Sequence, residues 1–121
     1  MRIPIAFGPA MRFLMAATGL LARWSWIDVN AETVTVQMSY GFRGSFDRSA
    51  IRSVRPLEGR RPLSIGVHGW GGRWLVNGTR EGLVVIDLDP PARARVLGVP
   101  VKLRQLIVSV ADPDLLVSAL G

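Results

Sequence analysis

The chain contains no cysteine. That excludes disulfides, thiolate catalysis and cysteine-based zinc sites together, so the fold must hold by packing alone. The absence suits a reducing compartment, and a cytoplasmic setting is expected. Histidine occurs once, as His68. A transition-metal site assembled from several imidazoles is therefore not expected, and Asp87 with Asp89 or Asp112 with Asp114 would have to supply ligands alone. Lysine is almost absent as well: of 15 basic residues, only Lys102 is not arginine.

A membrane-spanning run is also missing near the start. Phe13–Ala22 is apolar over ten residues, where a spanning helix needs about 20. A secretory signal would need a small-residue cleavage site after such a run. Arg23-Trp24-Ser25-Trp26 follows instead. The expectation is a short helix over Ala10–Thr18, with Pro9 at its first turn and Gly19 just past its end.

What is present is a chain of 121 residues, 49% of them apolar, with a net charge of +6. The length is that of one domain, residues 1–121, with 1–22 as an N-terminal extension and 23–121 as the core. The apolar content is enough for a packed interior. The basic residues are scattered, as a solvated surface and an arginine-favouring genome would give. Gathered on one rim, however, Arg60-Arg61, Arg93-Arg95 and Lys102-Arg104 would suit phosphates or anionic lipid.

The patterning is that of strands. In Val34–Tyr40, Val34, Val36, Met38 and Tyr40 share one face, and Thr35, Gln37 and Ser39 the other. A period of two over seven residues marks a half-buried strand. Trp24–Val29 precedes it across Asn30-Ala31-Glu32-Thr33, which makes a hairpin. Gly41–Gly44 reads as a turn, Ser45–Asp47 as a short extended piece, Asp47–Ala50 as a turn held by Asp47 or Ser49, and Ile51–Arg55 as a strand. Pro56–Pro62 is a loop. Ser64–His68 and Arg73–Asn77 are extended on either side of Gly69–Gly72. Leu83–Leu88 is a covered strand ended by Asp89-Pro90-Pro91, since neither proline donates to a ladder. Leu103 and Leu106 lie on opposite phases, so a bulge or break must fall at Arg104-Gln105. The chain closes on a helix with Asp112 as N-cap, Pro113 at its first position and Leu115, Leu116, Ala119 and Leu120 as its apolar stripe.

Ile51-Arg52-Ser53-Val54 after a turn, the Gly66–Gly78 stretch GVHGWGGRWLVNG, the apolar strand Leu83–Leu88 and the ending LIVSVADPDLLVSAL together resemble the bacterial, chiefly actinobacterial, pleckstrin-homology-like proteins, over Trp24–Leu120. The resemblance implies a mainly β fold: two packed antiparallel sheets, barrel- or sandwich-like, capped by a C-terminal α-helix. The short N-terminal helix lies outside that core. Fold alone does not transmit function.

No catalytic constellation is legible. Ser64, Ser109 or Ser118 could meet His68, but no G-x-S-x-G turn exists. Gly66–Gly78 lacks both the GK[ST] ending and the G-x-G-x-x-G spacing of nucleotide loops. Its glycines are better explained by tight turns. Trp70 and Trp74 either fill the core or form, with His68 and Arg73, an aromatic and cationic contact surface. The expectation is a non-enzymatic binding module without cofactor or metal. Its ligand or partner surface would be His68, Trp70, Arg73, Trp74, Arg60 and Arg61, and its partner a protein or a small anionic ligand met by loops at one end of the sheets. The alternative is an anionic membrane surface met by the basic loops. No sequence-specific nucleic-acid motif is present. Open sheet edges leave a homo-oligomer available.

Overall fold

The computed structural model describes residues 1–9, 13, 25–38, 41–57, 66–77 and 79–121. Nine strands are seen among them: β1 (Arg2–Pro4), β2 (Ser25–Val29), β3 (Thr33–Met38), β4 (Phe42–Asp47), β5 (Ile51–Pro56), β6 (Gly66–Trp70), β7 (Arg73–Asn77), β8 (Leu83–Val96) and β9 (Val99–Ser109). A 3-10 turn, Arg48–Ala50, links β4 to β5, and the helix α1 (Pro113–Leu120) ends the chain. The protein is thus mainly β with one C-terminal helix. Of the helix expected over 10–18, only Phe13 is described, and it is exposed; the rest lies outside the described residues, as do Arg60 and Arg61.

The alternation read in β3 is the alternation of burial: Val34, Val36 and Met38 face inward, and Thr33, Thr35 and Gln37 are half-buried. Its partner β4 repeats the pattern with Phe42, Gly44 and Phe46 inside and Arg43, Ser45 and Asp47 outside. The segment Phe42–Gly44, expected as part of a turn, is therefore strand. Phe42 is too apolar to leave in water and takes a place in the core at 1% exposure.

By hydrogen bonding the strands form one connected sheet in the order β1-β2-β3-β4-β8-β9-β7-β6, with β5 also on β8. The two separate sheets implied by the resemblance are not seen. Nor is the sheet purely antiparallel, because β7 pairs with β9 in parallel. The chain leaves β7, runs up β8 one place further on, and returns as β9 between them. An antiparallel bridge between Ile5 and Val110 ties the chain just past β1 to the end of β9. Inward residues of β1–β4, β7, β8 and β9 then share one core with Leu116 and Leu120 of α1.

Strand β8 does not end at Asp89-Pro90-Pro91. It continues to Val96, and the missing proline donors are accommodated by a register shift against β9 between Asp87 and Ala92. Before that shift β8 lies between β5 and β9; after it, between β4 and β9.

Helix α1 is capped as expected at its start, where the Asp112 carboxylate accepts from the Leu115 N–H at 3.1 Å. Its apolar stripe is narrower than the sequence suggested. Leu116 and Leu120 are buried, but Leu115 is 42% exposed. At the other end Arg48 donates to the Ala119 carbonyl at 2.6 Å and to the Asn30 carbonyl at 3.1 Å. The Asp47 side chain makes no capping bond to the turn at 48–50, which is tied to the β2–β3 turn by the Arg48 N–H, donating to the Glu32 carbonyl at 2.9 Å.

Candidate functional site

The register places four polar residues in one row across four strands. Ser53 of β5 pairs with Asp87 of β8, Asp87 with Gln105 of β9, and Gln105 with Arg73 of β7. Paired positions share a face, so these side chains line one surface. Asp87 is the centre of the row. One carboxylate oxygen accepts from the Ser53 hydroxyl at 2.6 Å and from the Arg55 guanidinium; the other accepts from the Gln105 amide at 2.8 Å. Arg55 also donates to the Ser53 hydroxyl at 3.0 Å. Partial burial works against the charge on Asp87. The hydrogen bonds from Ser53, Arg55 and Gln105, with the Arg55 charge, outweigh it and hold the carboxyl at about 2.

Arg104 joins this surface through the bulge. The N–H groups of Arg104 and Gln105 both point at the Gly72 carbonyl, at 2.7 and 3.2 Å. In a regular strand, neighbours point to opposite faces. At the register shift between β8 and β9 that alternation is broken: Arg104 and Gln105 line the same cleft, while Leu103 and Leu106 on either side both reach the core. The stem of Arg104 lies over Gly72, whose φ of +85° and tight approach both suit a residue without a Cβ.

The result is an open cleft of about 640 Å³ lined by Arg52, Arg73, Arg104, Asp87, Asp89 and Gln105, with Gly71 and Leu88. Asp89 is met by Arg52 at 3.9 Å in an exposed pair, an arrangement worth little in water. Counting Arg55 on Asp87, four guanidiniums face two carboxylates. Arg73 and Arg104 have no carboxylate partner among the described residues, and the cleft keeps a surplus of positive charge.

Of the residues singled out from sequence, Trp74 lies on the other face of its hairpin from His68 and Arg73. In the β6–β7 hairpin, His68 pairs with Leu75 and position 70 with Arg73, whereas Trp74 pairs with Gly69 on the opposite face. His68 and Arg73 are exposed. Trp74 is half-buried against the core and donates its indole N–H to the Lys102 carbonyl at 3.1 Å. A Cβ on Gly69 would collide with that indole and with the Arg73 carbonyl oxygen, so this glycine makes room rather than a turn. Gly71 and Gly72, both at positive φ, make the turn.

Of the expected set, Arg73 alone lines the cleft among the described residues; Arg60, Arg61 and the side chain of Trp70 lie outside them. Arg52 and Gln105 were not picked out; Asp87 was weighed only as a metal ligand beside Asp89, and Arg104 only with Lys102 as a basic pair suited to phosphates. The phase flip at Arg104-Gln105 was the signal that could have found two of them. No group of three or more metal-ligating side chains occurs among the described residues, and no helix among them is long and apolar enough to cross a membrane. Comparison of the chain with protein-family models, with curated proteins and with solved structures gave no match.

Proposed function

We propose that this chain is a non-enzymatic binding module that takes a small anionic ligand, a phosphate or carboxylate group, in the cleft of Arg52, Arg73 and Arg104. The observation that carries the reading is the disposal of Asp87. Its oxygens are occupied by Ser53, Arg55 and Gln105, so it is not left to neutralise Arg73 and Arg104. Planar guanidiniums of this kind suit oxyanions, which they engage through paired N–H donors.

A pleckstrin-homology-like ancestry and a cytoplasmic setting belong to the same proposal. The succession of strands followed by one capping helix supports the first, and the lack of cysteine the second. A charged hydrogen bond to an oxyanion is worth about 1.5–3 kcal/mol. Calorimetric titration with inorganic pyrophosphate should therefore show saturable binding at low salt, weakened about tenfold or more by Arg104→Ala or Arg73→Ala. His68→Ala should leave it unchanged. Equal binding by wild type and both arginine variants would refute the cleft as the site.

A further inference from the structure

The β8–β9 hairpin ends in the turn Leu97-Gly98, and its tip is exposed and apolar. Leu97 is 78% exposed and Val99 61%. Leu97 also stands at φ +49°, a left-handed conformation that crowds a side chain against its own backbone. Asparagine or glycine would serve the turn better and would not put a hydrocarbon side chain into water. The turn is nonetheless firmly built. The Leu97 N–H donates to the Gly41 carbonyl at 3.0 Å, and Arg95 donates to the Gly98 carbonyl at 3.2 Å.

Beside this tip the outer face of the sheet is cationic. Arg43 of β4 stands directly opposite Arg95 of β8, and Arg93 of β8 opposite Lys102 of β9. Like charges at directly opposed positions destabilise a sheet. The shallow hollow of about 310 Å³ between them, lined by Arg43, Ser45, Arg93, Arg95 and Pro100, contains no carboxylate. Arg43 is steadied by the neutral Gln37 side chain at 2.6 Å. Two features unfavourable in water thus adjoin: an apolar tip held outward and a set of opposed cations.

We infer that this hairpin docks the protein on an anionic lipid bilayer. Leu97 and Val99 enter the interfacial region, and Arg43, Arg93, Arg95 and Lys102 lie over the headgroups. Charge complementarity selects an acidic surface, and the apolar tip selects a bilayer over a soluble phosphate polymer, which offers no hydrocarbon to receive it. The site is separate from the arginine cleft and does not depend on a ligand there.

The test is co-sedimentation of the full chain with phosphatidylcholine vesicles, with and without a phosphatidylserine fraction, at low salt. Binding should appear with phosphatidylserine and fall as salt rises. Arg93→Gln should weaken it about fivefold, the effect of one basic residue at an acidic membrane. The double variant Leu97→Asn, Val99→Thr should lose it while melting no lower than wild type, because asparagine accepts the left-handed turn. Arg104→Ala should bind vesicles normally, which separates this surface from the cleft. Equal binding to both vesicle types, absence of binding, or undiminished binding by the double variant would overturn the proposal. The last outcome, with competition by polyuridylic acid, would assign the face to a phosphate polymer instead.

Discussion

Asp87 and Gly69 show how single residues are constrained. Ser53, Arg55 and Gln105 all donate to Asp87 as an anion, which is why its carboxyl lies near 2 rather than 3.8. A carboxyl lowered in the folded state adds stability that is complete above its unfolded pKa, about 4, and disappears as pH falls through the folded value. Asp87→Asn should therefore be less stable than wild type at neutral pH, and the gap should close between about pH 4 and pH 2. Urea denaturation at stepped pH checks this; a gap constant across that window would mean that the charge contributes nothing. Gly69 is constrained by space. Gly69→Ala must push against an indole and a backbone oxygen, and overpacking of that kind costs about 1–3 kcal/mol. Its thermal melt should drop accordingly, with the indole N–H signal of Trp74 displaced in the NMR spectrum.

At the scale of elements, α1 depends on its ends as much as on its buried face. It is only eight residues long, too short to persist alone. Asp112 satisfies its start, and Arg48, from far back in the chain, satisfies its finish and complements the negative end of the helix dipole. Arg48→Ala should lower the unfolding free energy in urea by about 1–2 kcal/mol, and Arg48→Lys should restore only part of it, since a single nitrogen would have to serve two carbonyls that the guanidinium reaches from two. The start of this helix was legible in Asp112-Pro113; its Arg48 anchor was not, because no local pattern links residues 71 apart. Strand β3 was legible for a reason equally local, its short-range period of two. The prolines of β8 misled because a proline stops a ladder only where a donor is required, and the register shift removes that requirement.

At the scale of the whole molecule, local periodicity says which residues turn inward but not which strands become neighbours. Hence the mainly β class and the terminal helix could be read, while the single connected sheet and the parallel β7–β9 pair could not. The candidate site suffered likewise. Ser53, Asp87, Gln105 and Arg73 form a row only through three inter-strand registers. Only the bulge that brings Arg104 beside Gln105 left a mark in the one-dimensional pattern.

Strand β8 has a neighbour on each side in both of its halves: β5 and β9 over Val84–Asp87, β4 and β9 over Arg93–Val96. In the first half, Val84, Val85 and Ile86 are paired on both sides and almost wholly buried, so their ladders open only when β5 or β9 has come away. Transferred to deuterium oxide, the protein should give up the backbone protons of Val84–Leu88 last, on the timescale of global unfolding. Those of β6, at the margin, should vanish early, so that isotope uptake followed by mass spectrometry would trace the order in which the molecule comes apart.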